Sequence, residues 1–109
     1  MEWKIVLIKV FFTDLSEYKI RPVLIFKKYE NLDYMYLPLT TNLSKKWIKI
    51  TNSNIVEWEI DKDSLILIPK FWIVSKSLII KEIAKVDIEI LFKVWKTICD
   101  DFWCNLLNS

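Results

Sequence analysis

Apolar positions along this chain fall into many short runs, and most of those runs have the composition of β-strands. Residues 3–10, WKIVLIKV, are aliphatic and β-branched with Lys4 and Lys9 as polar interruptions, which predicts a strand. FTDLSEYK (12–19) places Thr, Asp and Ser between two apolar runs and reads as an exposed loop. IRPVLIFKK (20–28) predicts a second strand. Asn31 to Asp33 then turn the chain into a third, YMYLPLTT (34–41), where Pro38 points to an irregular or edge position. After the polar NLSKK, the alternating WIKIT (47–51) predicts a short strand. NSN opens a loop reaching Asp63. SLILIPKFWIV (64–74) and SLIIKEIAKV (77–86) read as two strands broken at SKS.

From Ile88 the spacing changes to that of a helix. Apolar residues at 88, 91, 92, 95, 98, 99, 102 and 106 suggest one amphipathic stripe facing the core, with Trp103 off it and free to face a partner. Asp87 is placed to cap this helix, and Glu89 lies favourably in its first turn. The predicted fold class is mainly β: one domain over residues 1–109, a barrel-like meander of short antiparallel strands closed by a C-terminal amphipathic helix.

Composition sharpens this picture. Hydrophobic residues make up 53% of 109, enough to build a core without disulfides or metals. The longest apolar runs are far too short to span a bilayer, and Lys4 and Lys9 interrupt the first, so neither a membrane segment nor a signal peptide is expected. Cys99 and Cys104 lie five apart on the predicted helix, about 140° apart around its axis, and cannot pair with each other; a reduced, cytoplasmic protein follows. Histidine is absent, removing the usual general base and the commonest metal ligand. Glycine is absent too, where about eight are expected at average usage, so phosphate-cradling glycine loops are excluded and turns must use Asn, Asp or Ser. Neither a metal site nor a cofactor is expected.

Arg21 carries the sharpest chemistry. It stands before Pro22 at the mouth of an apolar strand, where a guanidinium needs an anionic partner. A structural pair with Glu17 or Asp14 is the plainer reading, and a fork aimed at phosphate the functional one. Thr40 and Thr41 end the third strand, where a hydroxyl can face the same cleft. Lys45, Lys46 and Lys49 around Trp47 suit either a solvated edge or a stacking-plus-phosphate surface.

In order, IVLIKVFFTDLSEYKIRPVLIF, LPLTTNLSKK and DSLILIPKFWIVSKSLIIKEIAKVD, followed by a helix, resemble the MazF/PemK family over residues 3–106. These are small dimeric ribonuclease toxins of toxin–antitoxin modules, built on an SH3-like β-barrel. The resemblance implies cleavage of single-stranded RNA without a metal: the ribose 2′-oxygen attacks the adjacent phosphate, leaving a 2′,3′-cyclic phosphate and a 5′-hydroxyl. It implies an antitoxin partner and a homodimer. By position it makes Arg21 and Thr40 catalytic, with Glu17 in the adjoining loop and Ser16 supporting it. Lys19, Thr41, Asn42 and Lys45 are the implied RNA contacts. The chain also departs from the family pattern. Trp3 and Trp58 stand where members usually carry glycine, Ala84 takes another frequent glycine, and Trp72-Ile73 replaces an Arg-Thr or Phe-Thr pair. Where φ is positive, Trp for Gly costs on the order of a kcal/mol or more. A UGA codon read differently in source and host accounts for such exchanges, as does drift in an AT-rich genome. A barrel that binds RNA or a regulatory peptide without cleaving is the alternative function, and a protein sharing only the fold is a third.

Overall fold

The computed structural model describes residues 3–11, 17–43, 48–58, 60, 62–68 and 71–101. Within them the chain forms β1 (Lys4–Phe11), β2 (Tyr18–Lys28), β3 (Asp33–Thr40), β4 (Ile48–Ile50), β5 (Ile55–Trp58), β6 (Ser64–Ile66), β7 (Trp72–Ser75), β8 (Ile79–Val86) and α1 (Ile88–Asp101). The strands pair antiparallel in the order β4-β6-β3-β2-β1-β8-β5, with β7 added to β3, giving a nearly closed barrel and one C-terminal helix. The predicted fold class is the observed one.

The apolar runs in β1 and β2 lack alternation because both faces of these strands are covered. Val23, Leu24, Ile25 and Phe26 are all buried. On one face Ile5, Leu24 and Leu37 pack with Ala84, Ile66 and the helix residues Ile90, Val94 and Ile98. On the other, Val6, Ile8, Val23, Ile25 and Val74 form a second cluster, flanked by Tyr34, Tyr36, Leu78 and Ile79.

Several expectations need correction. Tyr18 and Lys19 belong to β2, not to the loop before it. The stretch expected to loop from NSN to Asp63 contains a 3₁₀ turn (Asn52–Asn54) and then β5. The single strand expected over 64–74 is two, β6 and β7, which leave β3 in different places: Thr40 pairs Leu65, whereas Tyr36 pairs Trp72. Pro38 sits at that change of partner, irregular as expected but not on an edge, opposite Val23 of β2. The helix is capped as expected, Ile90 N–H donating to Asp87 Oδ1 at 3.0 Å. Its core stripe, however, is Ile90, Val94 and Ile98. Ile88, Phe92 and Trp95 are exposed, although Trp95 still touches Phe26 with ring centroids 5.2 Å apart. Phe102, Trp103, Cys104 and Leu106 lie outside the described residues.

Among the described residues, Trp3 (63°), Asn31 (44°) and Trp58 (61°) have positive φ. Asn31 lies in the β2–β3 turn and suits that backbone. Trp3 is held by its own main chain, its N–H donating to Ile25 carbonyl at 2.7 Å and its carbonyl accepting from Val86 N–H at 3.2 Å. Trp58 ends β5, and the chain beyond is fixed where the Asn52 amide bonds both N–H and carbonyl of Ile60.

Candidate functional site

Side-chain parity in antiparallel strands decides which residues share a face. Ile8 of β1 is opposite Arg21, and Val10 is opposite Lys19, so Lys19 and Arg21 lie on the face of the second cluster. β2 and β3 pair Leu24 with Leu37 and Val23 with Pro38. By strand alternation Arg21 shares the face of Val23 and Thr40 that of Pro38, the two residues paired at the end of the β2–β3 ladder. The pair singled out from the sequence therefore falls on one face just past that end, where Thr40 pairs Leu65 of β6.

The chemistry of the pair follows from its surroundings. Arg21 is exposed and forms no ion pair with a described carboxylate. Glu17, the nearest described acid in sequence, is exposed and makes no salt bridge to it, so that structural pairing is absent among the described residues. Thr40 is half-buried, and its Oγ1 accepts the Asn42 backbone N–H at 3.2 Å. That bond orients the hydroxyl and leaves its proton to donate. A guanidinium and a free O–H donor on one face suit negative charge on a phosphoryl oxygen.

The other candidates divide. Lys19 shares the Arg21 face, two residues along β2. Thr41 and Asn42 are exposed just past β3, and Thr41 borders a cavity on the opposite side of the sheet, not the Arg21 face. Lys49 is engaged by Asp63 at 3.7 Å, which weakens it as an RNA contact. Asp14, Ser16, Lys45, Lys46 and Trp47 lie outside the described residues. Among the described residues no three His, Cys, Asp or Glu side chains gather as a metal site, and no helix is long and apolar enough to cross a membrane.

Tyr36 was missed in the sequence. It lies on the same face as Thr40, four residues back along β3, directly opposite the exposed Trp72 of β7. Burial pushes its hydroxyl above the usual tyrosine range. Only the β3–β7 register reveals the pair; an alternating strand contains many such tyrosines.

No family model and no curated protein matches this chain. The functional reading therefore rests on the residues themselves.

Proposed function

We propose that this chain is a toxin-type endoribonuclease that cleaves single-stranded RNA without a metal. The observation that carries this reading is the Val23–Pro38 pairing that ends the β2–β3 ladder. Two residues beyond it along each strand, on the same face by alternation, stand Arg21, unpaired among the described residues, and Thr40, with a donor proton to spare. In the proposed reaction the 2′-hydroxyl oxygen forms a bond to phosphorus as the bond from phosphorus to the 5′-oxygen breaks. The hydroxyl proton leaves and the departing 5′-oxygen gains one, giving a 2′,3′-cyclic phosphate and a 5′-hydroxyl. The Arg21 guanidinium and the Thr40 hydroxyl bind the non-bridging oxygens, where charge accumulates, and Arg21 handles protons. Lys19, beside Arg21, holds a neighbouring phosphate, and Glu17 supports the loop. Such a protein acts in the cytoplasm and is neutralised there by an antitoxin protein. It works as a homodimer, and the exposed helix stripe Ile88–Phe92–Trp95 is apolar surface of the kind a second copy covers.

The test is incubation of the purified chain with a long RNA in EDTA, followed by mapping of the ends. Cyclic phosphate and 5′-hydroxyl termini that vanish with Arg21→Ala support the proposal; intact RNA contradicts it. A second reading is a barrel that binds RNA without turnover. It is favoured by the exposed Trp72, an aromatic surface opposite Tyr36 that suits stacking better than catalysis. Retained RNA binding with no cleavage selects it.

A further inference from the structure

Beside its fully buried core the barrel has an open, partly apolar cleft. Across β1, β2 and β3 the inward row Ile5, Leu24 and Leu37 is fully buried. The next row on that face, Leu7, Pro22 and Leu39, is only half-buried and borders a cavity of about 590 Å³. Ile60 and Trp58 contribute to its lining from the end of β5 and the chain just beyond. The volume falls within the range of roughly 300–1,000 Å³ typical of small-molecule sites. The mouths of β-barrels are a usual place for such ligands.

Among the described residues the rim is polar, with two lysines against one glutamate. Lys62 and Lys81 are exposed there, and neither forms an ion pair with a described carboxylate. Glu82 also lines the cavity, but Lys4 already holds its carboxylate at 3.0 Å. The buried Ser64 hydroxyl donates to the Lys62 carbonyl at 3.3 Å and needs no further acceptor. What is left among the described residues is an apolar floor and two cations that no described carboxylate pairs.

We propose that this cavity binds a single-chain alkyl carboxylate, taken up as a free monomer from solution. The tail lies along Leu7, Pro22 and Leu39 where water is otherwise held against hydrocarbon, and the carboxylate sits between Lys62 and Lys81. This site is on the opposite sheet face from Arg21 and Thr40, so it stands or falls independently of the ribonuclease reading.

The test is calorimetric titration of the full chain with decanoate below its micelle concentration, beside octanoate, decyltrimethylammonium and phosphatidylglycerol vesicles. The expected result is saturation at one decanoate per chain, weaker binding of octanoate, and at least tenfold weaker binding of the cationic analogue. In the Lys62→Glu/Lys81→Glu variant, whose two side chains are exposed and not needed for the core, decanoate affinity falls at least tenfold. Four outcomes overturn the proposal: no saturable binding, equal binding of the cation, undiminished affinity in the double variant, or binding to the vesicles alone.

Discussion

Trp3 and Trp58 hold φ near +60°, a region that costs an L-residue roughly 1–2 kcal/mol. Replacing each by alanine and by glycine separates backbone from side chain. At an ordinary strand position glycine is less stable than alanine by roughly 0.5–1 kcal/mol. Where φ is positive the order reverses, so at both positions the glycine variant should exceed the alanine variant by about 1 kcal/mol. The comparison with the parent differs between the two sites. Trp58 is 56% exposed and its ring lies under Lys4 Nζ at 5.6 Å, a contact worth about 0.5–1 kcal/mol. Trp58→Gly therefore ends within about 0.5 kcal/mol of the parent. Trp3 is half-buried and meets Phe26 edge-on with centroids 5.3 Å apart. Truncating a fully buried aromatic costs roughly 3–5 kcal/mol, and half of that outweighs the relieved backbone, so Trp3→Gly loses about 1 kcal/mol. Urea midpoints, or melting temperatures at about 4 °C per kcal/mol, read all four variants. Val56 in β5, which lacks a positive φ, supplies the control pair with the ordinary order. A glycine variant less stable than its alanine counterpart at residue 3 or 58 refutes the reasoning.

Three further outcomes follow from other parts of the fold. Asp87→Ala removes the acceptor of the Ile90 N–H and should cost about 1 kcal/mol in chemical denaturation. Tyr36 has a raised folded pKa, so its contribution is fully present below the unfolded value of about 10 and is lost as pH climbs from there through the folded pKa. Denaturation midpoints taken between neutrality and strong alkali should fall less steeply in Tyr36→Phe, and identical slopes would count against the burial of that hydroxyl. A recoded UGA codon at residues 3 and 58 predicts glycine in the source organism, read from the gene and from the mass of the native chain; UGG at those positions leaves the strain as a property of the natural protein.

How much of this was legible beforehand depends on how many faces of an element are covered. β1 and β2 are long and have buried centres rich in aliphatic residues, Ile5, Val6 and Ile8 in one and Val23–Phe26 in the other, and these strands were readable despite lacking alternation. β5 was not, because Val56, Glu57 and Trp58 are all exposed and leave no periodic signal. The helix was found but rotated. Ile88, Ile90, Leu91, Phe92, Val94, Trp95 and Ile98 cover more than half its circumference, so spacing alone admits two stripes, and packing against Leu24 and Leu37 selects Ile90, Val94 and Ile98. For the site, Arg21 and Thr40 were nameable from residue type and from the resemblance. That they share a face follows from the β2–β3 register, which includes a shift between Ile25 and Lys27 that no sequence pattern marks.

The central claim is that Arg21 and Thr40 act on one phosphodiester. A double-mutant cycle on RNA cleavage in EDTA tests it directly, using Arg21→Ala, Thr40→Val and the combined variant. Removing one donor to a developing oxyanion typically costs on the order of 10²–10³ in rate. Two donors serving the same oxygens should be non-additive, the double variant falling well short of the product of the single losses. Losses that simply multiply, or an Arg21→Ala chain that cleaves at the parental rate, would contradict the account.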